Sequence, residues 1–308
     1  MHEQLADLWR QHMCRGDFEA AWRISDRALR NRDRFTRCAG DQESTWRGEP
    51  LDGKRVVVRC CYGLGDTLQF VRYAPFLQRI ARHVTFHAQA SVARLLEYVE
   101  GIDRLTSRYN SISPETYDVA IGLTELPHIF RTHLYTIPAR VPYITIARRS
   151  FSPTNNIRVG LVWEASDWDR HRSVPVQLFA GFDRLAGVSL HILQRGFPSL
   201  KRPINFGIDS GSSDLYEVAR TIAGIDLIIT IDSMPAHLAG ALGVPTWVLL
   251  HSDCDWRWMR NRTDSPWYPS MRLFRQNHPG EWPSVIARVK QELKRLASSQ
   301  IKPLSAAA

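Results

Sequence analysis

Short β-branched apolar runs alternate with amphipathic stretches along most of this chain, and the switch between the two periods is sharpest near residue 230. Leu227–Ile231 is an unbroken apolar run, which predicts a strand buried on both faces. At Asp232 the pattern changes. Ser233 suits an N-cap, Pro235 suits a first helical turn, and Leu238, Ala239 and Leu242 recur at helical spacing until Gly243 and Pro245 end the run. A strand that passes at once into a helix leaves the helix's first N–H groups at the carboxyl edge of a parallel sheet, where an anionic oxygen is favoured. Asp232, Ser233, Met234 and His237 are therefore candidates for binding a phosphate. The competing explanation is an ordinary capped strand-to-helix turn with a satisfied histidine.

The same alternation organises what precedes and follows. Leu5, Leu8 and Trp9 form one helical stripe, Gly16-Asp17 interrupts it, and Phe18, Ala21, Trp22 and Leu29 form a second. The run Gly16–Trp22 resembles part of a tetratricopeptide repeat, and no second copy follows. Residues 1–45 are therefore expected to be a helical appendage and linker, the polar stretch 31–50 being the linker. Arg55–Cys61 is strand-like and runs through Tyr62-Gly-Leu-Gly-Asp-Thr67 into an amphipathic helix. Gly63 and Gly65 are expected to make the turn, with Thr67 and Gln69 on the same cleft loop. The dinucleotide fingerprint is not met, since no third glycine follows. Asp66 is either a base facing a cleft or a plain N-cap.

His83–His87, a helix over 90–99 and Tyr117–Ile121 continue the βαβ pattern, and the prolines at 127, 138 and 142 predict an irregular close to the domain. After a turn-rich link at 148–156 a second set begins with Arg158–Trp163, a polar loop over 164–175 and a helix over 176–185. The strand Val188–Leu193, a helix over 214–222, the element first described and the strand Thr246–Leu250 complete it. The expected architecture is α/β, two Rossmann-like doubly wound domains over 46–147 and 157–280. A C-terminal helix over 281–308 is long enough to cross back onto the first domain. Ligands of such folds sit at the carboxyl ends of the strands.

Composition narrows the function. A chain of 308 residues suits two domains, and no apolar run reaches the roughly 20 residues that span a bilayer. The start carries no basic-then-apolar leader, which predicts a cytoplasmic protein with at most peripheral membrane contact. Five cysteines form no C-x-x-C pair, which argues against structural zinc and disulfides. The net charge of +9 is carried mainly by arginine and favours an anionic partner. Because the arginines are scattered, nucleic acid is the weaker choice and a phosphorylated small molecule the better one. No paired-carboxylate cage suggests a metal, and nothing suggests two carboxylates facing one sugar, as a retaining glycosidase needs.

Three stretches in order carry a resemblance: Gly63-Leu-Gly-Asp-Thr-Leu-Gln-Phe-Val-Arg-Tyr73, Gly160–Trp163 with Arg172-Ser-Val-Pro175, and Asp232-Ser-Met-Pro-Ala-His-Leu-Ala239. Together they resemble glycosyltransferase family 9, the ADP-heptose:LPS heptosyltransferase-like family. Asp255–Trp258, Asp264–Pro269 and Arg272–Gln276 look like the bacterial tetratricopeptide-repeat proteins that carry this domain. The resemblance implies a GT-B architecture and inverting, metal-independent transfer from a nucleotide-diphosphate sugar (ADP-, UDP-, GDP- or dTDP-linked), with no separate cofactor. The acceptor would be a hydroxyl of a glycan, a lipid-linked sugar or a protein. On this resemblance Asp66 aligns with the family's proposed base. Arg172 stands where the family has a lysine that neutralises donor phosphates, and Asp232, Ser233, Met234 and His237 align with the diphosphate motif. Gln194 and Trp256 are candidate contacts to the base or the sugar. The alternatives are a nucleotide-sugar-binding module without turnover and a protein-interaction module built on the N-terminal helices.

Overall fold

The computed structural model describes residues 2–30, 45–107, 109–165, 169–194 and 206–300. The chain divides into two compact units. The first holds 1–146, 241–243 and 255–269, and the second holds 147–240, 244–254 and 270–308. The stretch Asp255–Pro269, expected in the second domain, thus belongs to the first unit.

In the first unit β1 (Arg55–Arg59), β2 (His83–Ala88), β3 (Arg104–Ser107) and β4 (Val119–Gly122) form a parallel sheet in the order β3-β2-β1-β4. Val56, Val57 and Val58 are buried on both faces of the central strand, as a continuous β-branched run between covering layers requires. The crossovers are short: α3 (Leu64–Phe70) and α4 (Ala74–Gln78) follow β1, and α5 (Ala90–Leu96) follows β2. Beyond β4 the expected irregular stretch contains a single 3-10 turn and the one-turn helix α6 (Leu126–Ile129), with Pro127 in its first turn.

The N-terminal pair α1 (His2–Arg15) and α2 (Phe18–Arg30) forms as its two stripes predict. It is not a loose appendage. Met13, Phe18, Ala21 and Trp22 are buried, and the Trp22 indole N–H donates to the Thr132 carbonyl oxygen at 2.7 Å. Of the expected linker, residues 31–44 lie outside those described. Thr45 bridges in parallel to Ala120 and the Trp46 amide donates to Ala120 O at 2.9 Å, so the chain after residue 44 is tied to the β4 edge.

In the second unit β5 (Ile157–Val162), β6 (Val188–Ile192), β7 (Ile208–Asp209), β8 (Leu227–Ile231), β9 (Thr246–Leu250) and β10 (Met271–Arg275) form a parallel sheet in the order β10-β9-β8-β5-β6-β7. All five residues of β8 and of β9 are buried, which is why neither shows polar alternation. Gly160 marks the tightest approach at β5. A Cβ there would stand 2.7 Å from methyl carbons of Ile228 and Leu193. The helices are α7 (Leu215–Ala223), α8 (Met234–Ala241) and α9 (Trp282–Gln300). Val176–Phe179 is a single 3-10 turn rather than the start of a helix to 185, because Gly181 takes a positive φ of 79° and ends it. Trp282, Val285, Ile286, Val289, Leu293 and Ala297 of α9 join the β-strand residues in one core, so this helix is built into the second unit.

Both sheets place their first strand beside their fourth, with the second and third strands on the other side. The strand order therefore reverses between β1 and β4 in one unit and between β5 and β8 in the other. In open α/β sheets such reversal points, at the carboxyl ends of the strands, are where ligands bind.

Candidate active site

At the reversal point of the first unit, β1 ends and Tyr62–Gly63 leads into α3. Asp66 is the third residue of that helix, and its Oδ2 accepts the Gly63 N–H at 3.0 Å. Asp66 is thus not the N-cap itself, which is Gly63, but the N3 residue that caps back onto it. Its other oxygen, Oδ1, accepts from Arg257 Nη2 at 2.5 Å. Arg257 Nη1 also reaches Asp255 Oδ1 at 2.9 Å. The Asp66 side chain keeps 24% of its surface exposed, so the carboxylate is held from two sides and still open to solvent.

The glycines of this turn behave differently from expectation. Gly63 has φ −66° and ψ 159°, which any residue adopts, and Gly65 lies within α3 without a positive φ. Thr67 and Gln69 are fully buried rather than presented on a loop, because both fall on the inner side of α3. Thr67 Oγ1 donates to Gln89 Oε1 at 3.0 Å, and Gln89 Nε2 donates to Tyr62 O at 2.7 Å, so Thr67 braces the turn.

At the reversal point of the second unit three strand ends converge. β5 is followed by the polar loop, of which residues 166–168 lie outside those described; β8 is followed by Asp232, and β9 by His251. Arg172 sits on a 3-10 turn capped by Asp169, whose Oδ1 accepts the His171 N–H at 3.2 Å. The Arg172 guanidinium donates to the Asp232 carbonyl oxygen at 3.0 Å, pairs with Asp169 at 3.0 Å and approaches the Asp232 carboxylate at 3.8 Å. Asp232 and His237 are buried, while Ser233 and Met234 are half-buried at the start of α8. Ser233 Oγ turns back to donate to Ile231 O at 3.3 Å. In the first turn of α8 Pro235 has no N–H and the Ala236 amide donates to Ser233 O at 3.0 Å, so what this helix offers at the carboxyl edge of β8 is chiefly the positive end of its dipole. The corner thus combines a cation, two carboxylates that engage it, a buried imidazole and a helix N-terminus; the cation and the helix end are the groups suited to an anionic oxygen.

His251 was not singled out from sequence. Burial pushes its imidazole below the ordinary histidine value, with Asp169 and Asp253 opposing and Arg172 and His171 adding to the shift. The only available signal was its place one residue after a strand end. Arg257 was also missed as a partner of Asp66, because 191 positions separate them.

Two candidate contacts are engaged within the protein. Gln194 Oε1 accepts the amides of Trp163 and Glu164 at 3.1 and 3.0 Å, and its Nε2 donates to Glu164 O, so it fastens the exit of β5. Its neighbour Arg195 lies outside the described residues. Trp256 belongs to the first unit, where it stacks with Phe70 and meets Trp9 and Trp267 edge-on. Among the described residues no group of three or more His, Cys, Asp or Glu side chains could hold a metal ion, and no helix is long and apolar enough to cross a membrane.

Comparison with known proteins bears on this arrangement. Residues 193–285 match the family model of glycosyltransferase family 9 (heptosyltransferase), a span that includes β8, α8 and His251. Protein FlbA of Caulobacter vibrioides is 28% identical across 82% of this chain, and the chain spans 48% of that relative's length. Among solved structures, the E. coli heptosyltransferase WaaC with ADP-2-deoxy-2-fluoro heptose superimposes with a TM-score of 0.54 at 14% identity, covering 79% of this chain and 99% of that one. The iron-containing dodecameric glycosyltransferase TibC of enterotoxigenic E. coli gives 0.54 at 11% identity, covering 80% and 78%. At such identities the structural likeness establishes the fold, a mixed α/β GT-B type with parallel sheets. The resemblance to family 9 therefore has two supports, the sequence match over 193–285 and the shared architecture.

Proposed function

We propose that this chain is an inverting glycosyltransferase that moves a sugar from a nucleotide-diphosphate sugar to a hydroxyl acceptor. The observation that carries the proposal is the family 9 match over 193–285, which supplies Asp232 and α8 of the corner that Arg172, outside the matched span, completes at a reversal point of the sheet. Breaking a sugar–phosphate bond builds charge on the departing diphosphate. The positive end of α8, with Arg172 and His237, supplies preorganised stabilisation for that charge. An incoming diphosphate would compete with Asp169 for the Arg172 guanidinium, so the arginine's present pairing keeps it ordered until the donor arrives. Asp66 serves as the base that takes the acceptor's proton, a role that contributes roughly 10²–10⁴-fold.

The reaction as proposed runs without a metal, in the cytoplasm, where the thiols of Cys14, Cys60, Cys61 and Cys254 stay reduced. The donor could carry adenine, uracil, guanine or thymine, and the acceptor could be a glycan, a lipid-linked sugar or a protein. A module that binds the donor without turning it over is the second reading. The clamp on both Asp66 oxygens favours it, since a carboxylate so engaged must be released or shared to accept a proton. An interaction module built on the N-terminal helices has less support, because their apolar face is spent inside the first unit.

The deciding measurement is release of nucleoside diphosphate from ADP-, UDP-, GDP- and dTDP-sugars, with and without EDTA, alongside thermal shift with each diphosphate. The expected outcome is turnover of one donor, insensitive to EDTA. Asp66→Ala should lose turnover by about 10²–10⁴-fold while keeping its thermal shift. Turnover unchanged in Asp66→Ala would refute the assignment. Binding without release in the native chain would leave the non-catalytic module standing.

A further inference from the structure

Arg257 is anchored more elaborately than a surface ion pair needs. Its side chain is 12% exposed, its guanidinium carbon lies 5.1 Å from the Phe70 ring centre and 4.9 Å from that of Trp256, and its two terminal nitrogens go to different carboxylates. Asp255 orders the arginine from its own turn, because the same Oδ1 that accepts Nη1 also accepts the Arg257 amide at 2.9 Å. A flat guanidinium lying over two aromatic rings has little rotational freedom left. What remains is one N–H prong aimed at Asp66 Oδ1, opposite the backbone prong that Gly63 gives to Oδ2.

We propose that Arg257 is the positioning residue for Asp66, and that the N-terminal helices fix where it stands. The mechanical path is short and lies wholly in the first unit. Trp9 of α1 meets Trp256 edge-on with ring centres 5.5 Å apart, the Arg260 amide donates to Cys14 O at 2.8 Å, and Phe18 of α2 packs on Trp267. The helical pair is thereby the support of the turn that carries Arg257. Capping from the third helical position needs only the Gly63 amide. An arginine drawn from 191 residues away and fixed on three sides adds nothing to capping, but it sets the direction of the carboxylate. The inference rests on the transferase reading, in which that direction decides whether Asp66 meets the acceptor proton.

The test uses the full chain and the donor sugar that the native protein cleaves. Arg257→Ala is expected to lower kcat by about 10²-fold, the cost of misplacing a reacting group by about 1 Å, with donor KM changed by less than about threefold. Added guanidinium ion should restore part of that loss in Arg257→Ala and none in Asp66→Ala. Arg257→Lys, which keeps the charge without the fork, should fall between, and Trp9→Ala should lower kcat in the same sense by less. A kcat within about twofold of native in Arg257→Ala overturns the proposal, as does a donor KM that rises in step with the loss of kcat/KM. Pairing is read separately from catalysis by a double-mutant cycle of Asp66→Asn and Arg257→Ala in urea unfolding, where additive effects also overturn it. If the native chain binds and cleaves no donor, the transferase reading fails first, and a coupled pair then has a structural role only.

Discussion

The first sheet runs β3-β2-β1-β4, and the second repeats that order as β7-β6-β5-β8 before adding β9 and β10, yet the two units are stabilised by different means. The second packs strand residues Val159, Leu161, Ile229 and Ile231, with the rings of Trp163, Phe179, Trp247 and Phe274, against the inner face of α9 in one cluster. Both units bury polar groups, Asp232, His237 and Gln194 in the second among them, but the arginine buried among the described residues is in the first. Arg72, 3% exposed, donates to the carbonyl oxygens of Gln69 and Trp267 and to the Tyr143 hydroxyl, and lies over the rings of Tyr143 and Tyr268. Tyr73 bonds Thr132, and His128 bonds Asp26. The lesson is that one topology accommodates a buried cation in one unit and does without one in the other. Apolar packing tolerates volume-conserving exchange, whereas a buried cation is tolerated only if its donors meet acceptors.

That contrast can be broken most sharply at Arg72. Arg72→Ala removes a buried cation and strands the carbonyls it satisfied, and a loss of about 3–5 kcal/mol in urea unfolding is expected. A loss under about 1 kcal/mol would show that the first unit does not depend on its polar interior. In the second unit Ile229→Val deletes one methylene from a repackable aliphatic core, and about 0.5–1.5 kcal/mol should be lost. A much larger loss would mean that this core is as particular as the first.

The smallest effect is one of pH. Burial holds the His128 imidazole below the ordinary value of 6.5, with Arg131 adding to the shift and Asp26 and Glu125 opposing it. The Arg131 guanidinium holds the Asp26 carboxyl below 3.8. In both cases the folded form binds fewer protons than the unfolded chain. The stability they contribute is therefore present above those values and is lost as pH falls, first below 6.5 and again below 3.8. Urea midpoints measured from pH 7.5 down to 5 should decline in native protein and decline less in His128→Phe. An unchanged slope would place the acid sensitivity elsewhere, with His191 and His251, which burial also depresses, the next to examine.

Much of this was legible along the chain. The strand-to-helix switch at Asp232 and the turn at Gly63–Asp66 fall where hydrophobic period and capping chemistry put them. These are local facts, decided by sterics and hydrogen bonding within a few residues. The strands at 104–107 and 208–209 were not legible, because short edge strands with part-exposed side chains carry almost no apolar signal. What Trp256 and Gln194 pack against was not legible for a related reason. An aromatic ring or an amide near a strand end looks the same in sequence whether it faces a ligand or a neighbouring backbone.

The sequence by itself determined that this chain is an alternating α/β protein and which turns carry a carboxylate or a cation, since those follow from period and spacing alone. Only the tertiary structure decided that Asp255–Pro269 returns to the first unit, that the N-terminal helices support it, and that Asp66 meets Arg257. Contacts between residues so far apart are set by how covered faces pack, and packing leaves no periodic trace in the residues it joins.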